Sequence, residues 1–224
     1  HDPLTLLANR SLFWNRVEHA LALAQRTTQR VAVMFLDVDN FKNVNDSLGH
    51  DAGDRLLQAA AQRLVKSTRP SDTVARLGGD EFAILLEGIG SDLDVERVAA
   101  PISAAFNRPL LLDGREIEAT ASIGVACSRP GDDAEQLLRN ADIAMYGAKA
   151  AGKAQLVVFQ PHMQEQLHDR LRLEQDIDLG LARDEFFLEF QPVVDLTSRE
   201  LLGVEALLRW NHPRRGVVMP ADFI

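Results

Sequence analysis

Residues 76–86 read RLGGDEFAILL: two glycines, then the adjacent carboxylates Asp80 and Glu81, then an apolar run. A second acidic pair, Asp37 and Asp39, closes the run VAVMFLDVD at 31–39. Paired glycines are an ordinary hairpin signal, so an acidic tight turn accounts for the first stretch as a local feature. Clustered acids also hold divalent cations, and oxygen-only ligands suit Mg²⁺, which keeps several waters and shares phosphate oxygens with a substrate. Glycine beside the acids leaves room for a phosphate to approach the backbone. Two strand ends of one sheet would bring Asp37 and Asp80 within range of a common ion. Carboxylates, glycine and lysine around one pocket point to metal-assisted phosphoryl transfer.

Such a site needs strands that end in acids and helices that cover them. Residues 31–39 read as a buried strand, and alternation of period two puts Asp37 and Asp39 on one face. Residues 73–77 and 81–86 form a hairpin about Gly78-Gly79. Helical spacing runs over 9–27, 50–67 (Leu56, Leu57, Ala60 and Leu64 on one face), 91–107 and 133–151. Residues 109–113 and 116–127 read as strands about Asp113-Gly114, and 156–159 as a short strand. This is an α/β pattern with a mixed sheet, complete by about residue 160. Residues 162–184 make a charged amphipathic helix. After it, 186–196 and 200–210 read as two strands joined by Thr197-Ser198-Arg199. The reading divides the chain into a domain at 1–160, a connector at 161–184, and a tail at 185–224 too short to bury a core of its own.

Composition narrows the function. The 224 residues are 46% hydrophobic and 25% charged, as in an ordinary globular protein. A net charge of −9 disfavours a nucleic-acid duplex, which needs a basic face. Cys127 is the one cysteine, so no intrachain disulfide is possible and a reducing cytosol is expected. No run is long enough to span a bilayer and no signal peptide is evident, while the abrupt start at His1-Asp2-Pro3 suggests an excerpt from a longer protein.

Gly78-Gly79-Asp80-Glu81-Phe82 resembles the signature of the GGDEF family, the bacterial diguanylate cyclases. The surroundings agree: Leu4-Thr5 to Asn9-Arg10 resembles the family's opening motif, LDVDNFKNVND (36–46) with Gly49-His50 and Gly53-Asp54 its nucleotide segment, and ADIAMYGAKAAGK (141–153) its closing helix. The resemblance implies a palm-like fold, similar to nucleotidyl cyclases, in which a mixed sheet is flanked by helices. It implies condensation of two GTP into cyclic di-GMP with release of pyrophosphate by a homodimer, each domain presenting one GTP, with Mg²⁺ or Mn²⁺. It further implies Asp37, Asp80 and the Val38 carbonyl as metal ligands, and Glu81 with Asp80 as the acids that assist the metal or deprotonate the attacking 3′-hydroxyl. Asn45 and Asp54 would read the guanine edge, with His50 near the same nucleotide. Lys42, Lys149 and Lys153 would neutralise phosphates, with Phe41 lending its amide. Taken singly, Asn45 and Asp54 also suit helix caps, His50 a packed helix start, and Lys149 a helix C-terminus.

Arg69-Pro70-Ser71-Asp72 resembles the family's inhibitory site, where Arg69 and Asp72 would clasp cyclic di-GMP; it is also an ordinary turn sequence. Two positions depart from the family pattern: Leu6 stands where glycine is usual, and Ala154 where asparagine is common. Gln191-Pro192 and Glu205-Ala206-Leu207-Leu208-Arg209 resemble the start of an EAL domain, a barrel-shaped cyclic di-GMP phosphodiesterase. Glu205 would be one of its metal ligands. With its partner ligands on later strands, this truncated barrel-start hairpin is expected to be inactive. The expected setting is the cytoplasm, or the cytoplasmic part of a membrane-anchored sensor, with no membrane contact by this segment. A competing reading is a non-catalytic module that binds GTP or cyclic di-GMP and controls an adjoining phosphodiesterase.

Overall fold

The computed structural model describes residues 1–27, 29–90, 92–106, 109–112, 115–117 and 119–223. In chain order the first part comprises α1 (Arg10–Ala24), β1 (Arg30–Val38), α2 (Phe41–Leu48), α3 (His50–Ser67), β2 (Thr73–Gly78), β3 (Glu81–Ile89), α4 (Asp92–Phe106), β4 (Leu110–Leu112), β5 (Arg115–Ile117), β6 (Ala121–Cys127), α5 (Ala134–Ala150) and β7 (Leu156–Val158). The second comprises α6 (Pro161–Ala182), β8 (Phe186–Val194), β9 (Leu201–His212), β10 (Gly216–Val218) and α7 (Pro220–Phe223). The chain separates into two compact units, His1–Met163 and Gln164–Ile224.

The first unit is built on a five-stranded mixed sheet ordered β2-β3-β1-β6-β7, antiparallel except where β7 runs parallel to β6. β1 lies at its centre, and its two faces feed two cores. Ala32, Met34 and Leu36 pack with Leu56, Leu57 and Leu64 of α3 and Ile102 of α4. Val31 and Val33 pack with Phe13 and Val17 of α1 and Leu137 and Ala141 of α5. A strand covered on both faces has no solvent face to mark with polar residues, which is why β1 reads as a nearly continuous apolar run. The turn at 113–114 expected between β4 and β5 lies outside the described residues.

The sheet's acid end is where the helices stop short. α2 and α3 cap one side of it through a tight joint at Gly49, while α5 runs past the other. α2 was not foreseen as a helix. Its apolar stripe is only Phe41, Val44 and Leu48, of which Phe41 and Val44 pack half-buried against the core, and the element leans on α3.

The second unit holds a three-stranded antiparallel sheet ordered β10-β9-β8, with no closed barrel. Its core is small: Leu173, Trp210 and Val218, with Ile177, Phe186 and Phe223 packed against them. Phe186 stacks on Trp210 at 5.0 Å, and the indole N–H donates to Glu185. His212 is buried against Asp176 at 3.1 Å.

Candidate active site at the acid end of the sheet

The strand register brings the acids together. Asp37 on β1 lies directly across from Glu81 on β3 and from Ser122 on β6. Gly79 and Asp80 form the turn between β2 and β3, which Gly78 and Glu81 close as a cross-strand pair. Gly78 and Gly79 hold φ of 145° and 53°, values that glycine takes without a Cβ penalty. The turn is tied down from two sides. The Val38 N–H donates to the Asp80 carbonyl at 3.2 Å, and Arg76 donates twice to the Gly79 carbonyl at 2.7 and 3.0 Å. The same guanidinium donates to both oxygens of Asp2 at 3.1 and 3.2 Å. Burial alone would raise the Asp2 carboxyl, but two hydrogen bonds from Thr5 and the Arg76 charge overcome it and hold the group below its ordinary value.

Asp37 and Asp39 stand two residues apart yet do different things. The Asp39 carboxylate is buried and accepts from the Ser122 hydroxyl at 2.7 Å, the Thr120 hydroxyl at 2.7 Å and the Ala154 N–H at 3.0 Å. Its acceptor sites are spent on β6 and on the loop after α5, so it ties the end of β1 in place. Asp37 pairs instead with the Lys149 ammonium, 2.6 Å away. Burial pushes the Asp37 carboxyl up, Asp80 and Asp39 push it further, and Lys149 opposes them without cancelling the rise. Glu81 is likewise raised by burial, with Arg10 opposing and Asp37 and Asp142 adding to it. Arg10 Nη2 stands 3.5 Å from the Glu81 carboxylate.

The remaining candidate residues fall on two sides of these acids. Asn45 lies over Gly53: a Cβ there would stand 1.9 Å from Asn45 Oδ1 and 3.1 Å from the Phe41 ring, so a side chain at that position would displace Asn45. Asp54 follows at once and is exposed, as are His50 and Lys42. Lys153 donates to Asn40 Oδ1 at 2.9 Å. Lys149 and Lys153 therefore stand beside the acid end, the first on Asp37 itself. Among the described residues, no group of three or more His, Cys, Asp or Glu side chains converges as a complete metal cage. Two carboxylates and a carbonyl fit a hard cation that takes the rest of its shell from water and phosphate, and the raised Asp37 is the crowding that such a charge relieves.

Arg69 and Asp72 lie at the far end of β2, about six residues and roughly 20 Å of strand from the Gly78-Gly79 turn. The Arg69 N–H donates to Asp72 Oδ2 at 2.9 Å, and the Asp72 N–H to the Arg69 carbonyl at 3.0 Å. It is thus the backbone of Arg69, not its guanidinium, that meets Asp72. Both line a cavity of about 410 Å³ with Arg16, which donates to the Thr73 hydroxyl at 3.0 Å. In the second unit Glu205 is exposed opposite Gln191.

Sequence reasoning passed over Arg10, Arg16, Arg76 and Asp142. Arg10, Arg16 and Asp142 act across tens of residues of chain, and Arg76 joins the nearby Gly79 to Asp2, 74 residues away, so local spacing holds little sign of them. Leu6 and Ala154, the two departures, adopt φ of 61° and 50°. The chain keeps the left-handed turns, and Leu6 holds its with a side chain 76% exposed.

A mixed sheet with acids at its strand ends, a capping helix pair and an acidic Gly-Gly hairpin defines a palm-like architecture. The sequence profile described as the diguanylate cyclase GGDEF domain matches residues 1–155, and the EAL domain profile matches residues 172–224. The chain belongs to the GGDEF family, with the beginning of an EAL domain after it. It is 40% identical over 226 residues to the bifunctional diguanylate cyclase/cyclic di-GMP phosphodiesterase MucR of Pseudomonas aeruginosa, covering all of this chain and 33% of that protein. It is 36% identical to the cyclic di-GMP phosphodiesterase NbdA of the same organism, covering 100% of this chain and 29% of NbdA. The chain thus spans about a third of the length of these relatives. Among solved structures, the GGDEF domain of PA1120 (TpbB or YfiN) from P. aeruginosa superposes with a TM-score of 0.73 at 40% identity, covering 75% of this chain and 99% of that one. The GGDEF domain of DgcB from Caulobacter crescentus, in complex with c-di-GMP, gives 0.66 at 29% identity, covering 70% and 94%.

Proposed function

We propose that residues 1–160 form a diguanylate cyclase domain, joining two GTP into cyclic di-GMP with loss of pyrophosphate. The observation that carries this reading is the register that sets Asp37 against Glu81 beside the Asp80 turn, with Lys149 paired to Asp37. Asp37, Asp80 and the Val38 carbonyl would hold Mg²⁺ or Mn²⁺, which when bound supplies Lewis-acid stabilisation of phosphate charge. Asn45 and Asp54 take the guanine edge, with His50 and Phe41 beside it, and Lys42, Lys149 and Lys153 face the phosphates. The 3′-hydroxyl of one GTP attacks the α-phosphorus of the other, its proton passing to the Asp80–Glu81 pair as the pyrophosphate bond breaks. Performed twice, this closes the ring, and it requires two domains. Arg69 and Asp72 form a product site whose occupancy slows turnover.

The test is incubation with GTP and Mg²⁺ followed by mass detection of cyclic di-GMP, repeated with added product. Product formation that added cyclic di-GMP suppresses, and that Arg69→Ala releases from suppression, supports the whole reading. A chain that binds GTP without forming product supports the second reading, a nucleotide-binding regulator of an adjoining phosphodiesterase. That reading has its own support in a full-coverage relative, NbdA, named for phosphodiesterase activity alone. We place the domain in the bacterial cytoplasm or on the cytoplasmic side of a sensor; no helix among the described residues is long and apolar enough to cross a membrane. The 185–224 segment is expected to be inactive, since Glu205 stands exposed on an open three-stranded sheet with no closed barrel around it.

A further inference from the structure

Lys149 stands in the last turn of α5, and the chain then reverses through Gly152, Lys153 and Ala154. The helix closes in a Schellman pattern: the Gly152 N–H donates to the Lys149 carbonyl at 3.4 Å, and the Lys153 N–H to the Ala148 carbonyl at 3.1 Å. Gly152, Lys153 and Ala154 hold φ of 112°, 64° and 50°, three left-handed positions in a row. Glycine takes the first freely, but Lys153 and Ala154 each carry a Cβ that disfavours it. All three are exposed, so little packing holds them there. A clasp from the end of β1 holds them instead. The buried Asp39 carboxylate accepts from the Ala154 N–H at 3.0 Å, and the next residue, Asn40, accepts from the Lys153 ammonium on its Oδ1 at 2.9 Å. Asn40 is itself left-handed, at φ 58°, and opens α2, where Phe41 and Lys42 follow. Asp39 is fastened in turn to β6 and its approach by the Ser122 and Thr120 hydroxyls, and its own N–H donates to the Thr120 carbonyl at 2.9 Å.

We propose that Asp39 is a positioning residue, which holds the 152–154 turn, and with it Lys153, in register with the strand end that carries Asp37 and Val38. This rests on the cyclase reading, in which Lys153 faces the phosphates while Asp37 and the Val38 carbonyl hold the cation. A left-handed run with two Cβ-bearing residues is strained, and it persists only where its surroundings over-determine it. One carboxylate here joins the end of β1, the start of β6 and the turn after α5, so the cation side and the phosphate side of the site keep a fixed spacing. Asp39 does this as an acceptor and not as a charge, since none of its three partners is a cation. Asparagine supplies the same contacts, with its carbonyl towards Thr120 and Ala154 and its amide donating to the Ser122 hydroxyl. Alanine supplies none. Asp37 differs, because its partner is the Lys149 ammonium.

The experiment uses the whole chain with Mg²⁺ and measures binding of a non-hydrolysable GTP analogue and of GMP by calorimetry. GMP shares the base but lacks the outer phosphates, so it reads the Asn45–Asp54 side alone. Asp39→Ala should weaken binding of the analogue by roughly tenfold and leave GMP unchanged, while Asp39→Asn should bind both as the unmutated chain does. Gly152→Val should reproduce the loss with Asp39 intact. Among the described residues nothing lies within 4 Å of a Cβ at Gly152, so this change strains the turn alone and decides the matter even where Asp39→Ala does not fold. An Asp39→Asn chain as poor as Asp39→Ala overturns the proposal, because it assigns Asp39 to the cation by charge. Equal loss of GMP and analogue overturns it too, as does a Gly152→Val chain that binds the analogue normally. An unmutated chain that binds the analogue but makes no cyclic di-GMP from GTP sinks the cyclase reading alone, and variants that still divide as stated keep the positioning role. An unmutated chain that does not bind the analogue overturns both.

Discussion

β1 and β8 are both nine-residue strands rich in aliphatic and aromatic residues, yet they end in opposite circumstances. β1 is paired on both edges and covered on both faces, and six of its nine positions are buried. β8 is paired on one edge only, and every position after Phe186 is exposed. Apolar content alone made both segments strands; the layers around β1 made it a core. The same contrast decides the acids. Asp37 sits at the mouth of a closed structure with Asp39, Lys149 and the Gly79 turn arranged about it, whereas Glu205 lies exposed on an open hairpin opposite Gln191.

Hydrogen exchange gives the largest separation. Amides in the middle of β1 should exchange only on global opening and those on the free edge of β8 by local fraying, a difference of roughly 10⁴-fold or more. Equal protection in the two strands would break the comparison. Next in size is turnover. Asp80→Ala should cut product formation by roughly 100-fold or more, equivalent to a few kcal/mol of charge stabilisation, with an unchanged circular dichroism spectrum. Glu205→Ala should leave the rate alone; a matched loss would join the two units functionally. Asp54→Ala should weaken GTP binding by about ten- to a hundredfold, the cost of an unpaired base contact, and leave pyrophosphate binding alone.

A smaller effect reads the electrostatics of the closed unit. Because Glu81 is raised by burial and by its acidic neighbours, its ionised form opposes folding, and that cost is absent below the unfolded pKa and complete above the folded one. Glu81→Gln should therefore raise the melting temperature by a few degrees at neutral pH, and the gain should vanish as pH falls through the glutamate range. A constant gain at all pH values would point to packing instead. Smallest of all, Leu6→Gly and Ala154→Asn should each stabilise by about 0.5 kcal/mol, since both put tolerant residues into left-handed turns. A loss on Leu6→Gly would mean that the exposed leucine is held by a contact.

Much of this was legible in the sequence because the signals were local. The α3 stripe, the apolar run of β1 and the Gly-Gly hairpin each follow from spacing within one element. α2 escaped because its stripe is two turns long and only half-buried, and β10 and α7 because they are three and four residues long. The acid site was half legible. Its residue types pointed to a cation and phosphates, but the division of labour between Asp37 and Asp39 is set by Ser122, Thr120 and Ala154, some 80 to 115 residues along the chain. Arg76 was hidden for the same reason: its partner Asp2 lies 74 residues away.

The position of β8 bears on how this chain behaves in bulk. Its outer side offers a row of backbone donors and acceptors flanked by Phe187, Leu188, Phe190, Val193 and Val194, all substantially exposed. The other margin of that sheet, β10, is three residues long, so it makes a poor template. Strand addition would therefore run β8 against β8, an antiparallel pairing that uses up the reactive margin of both molecules and stops there. The expected product in concentrated solution is a discrete adduct that forms without nucleotide and survives dilution slowly, not an open-ended fibre. Light scattering that levels off with protein concentration distinguishes this saturating behaviour from unlimited growth.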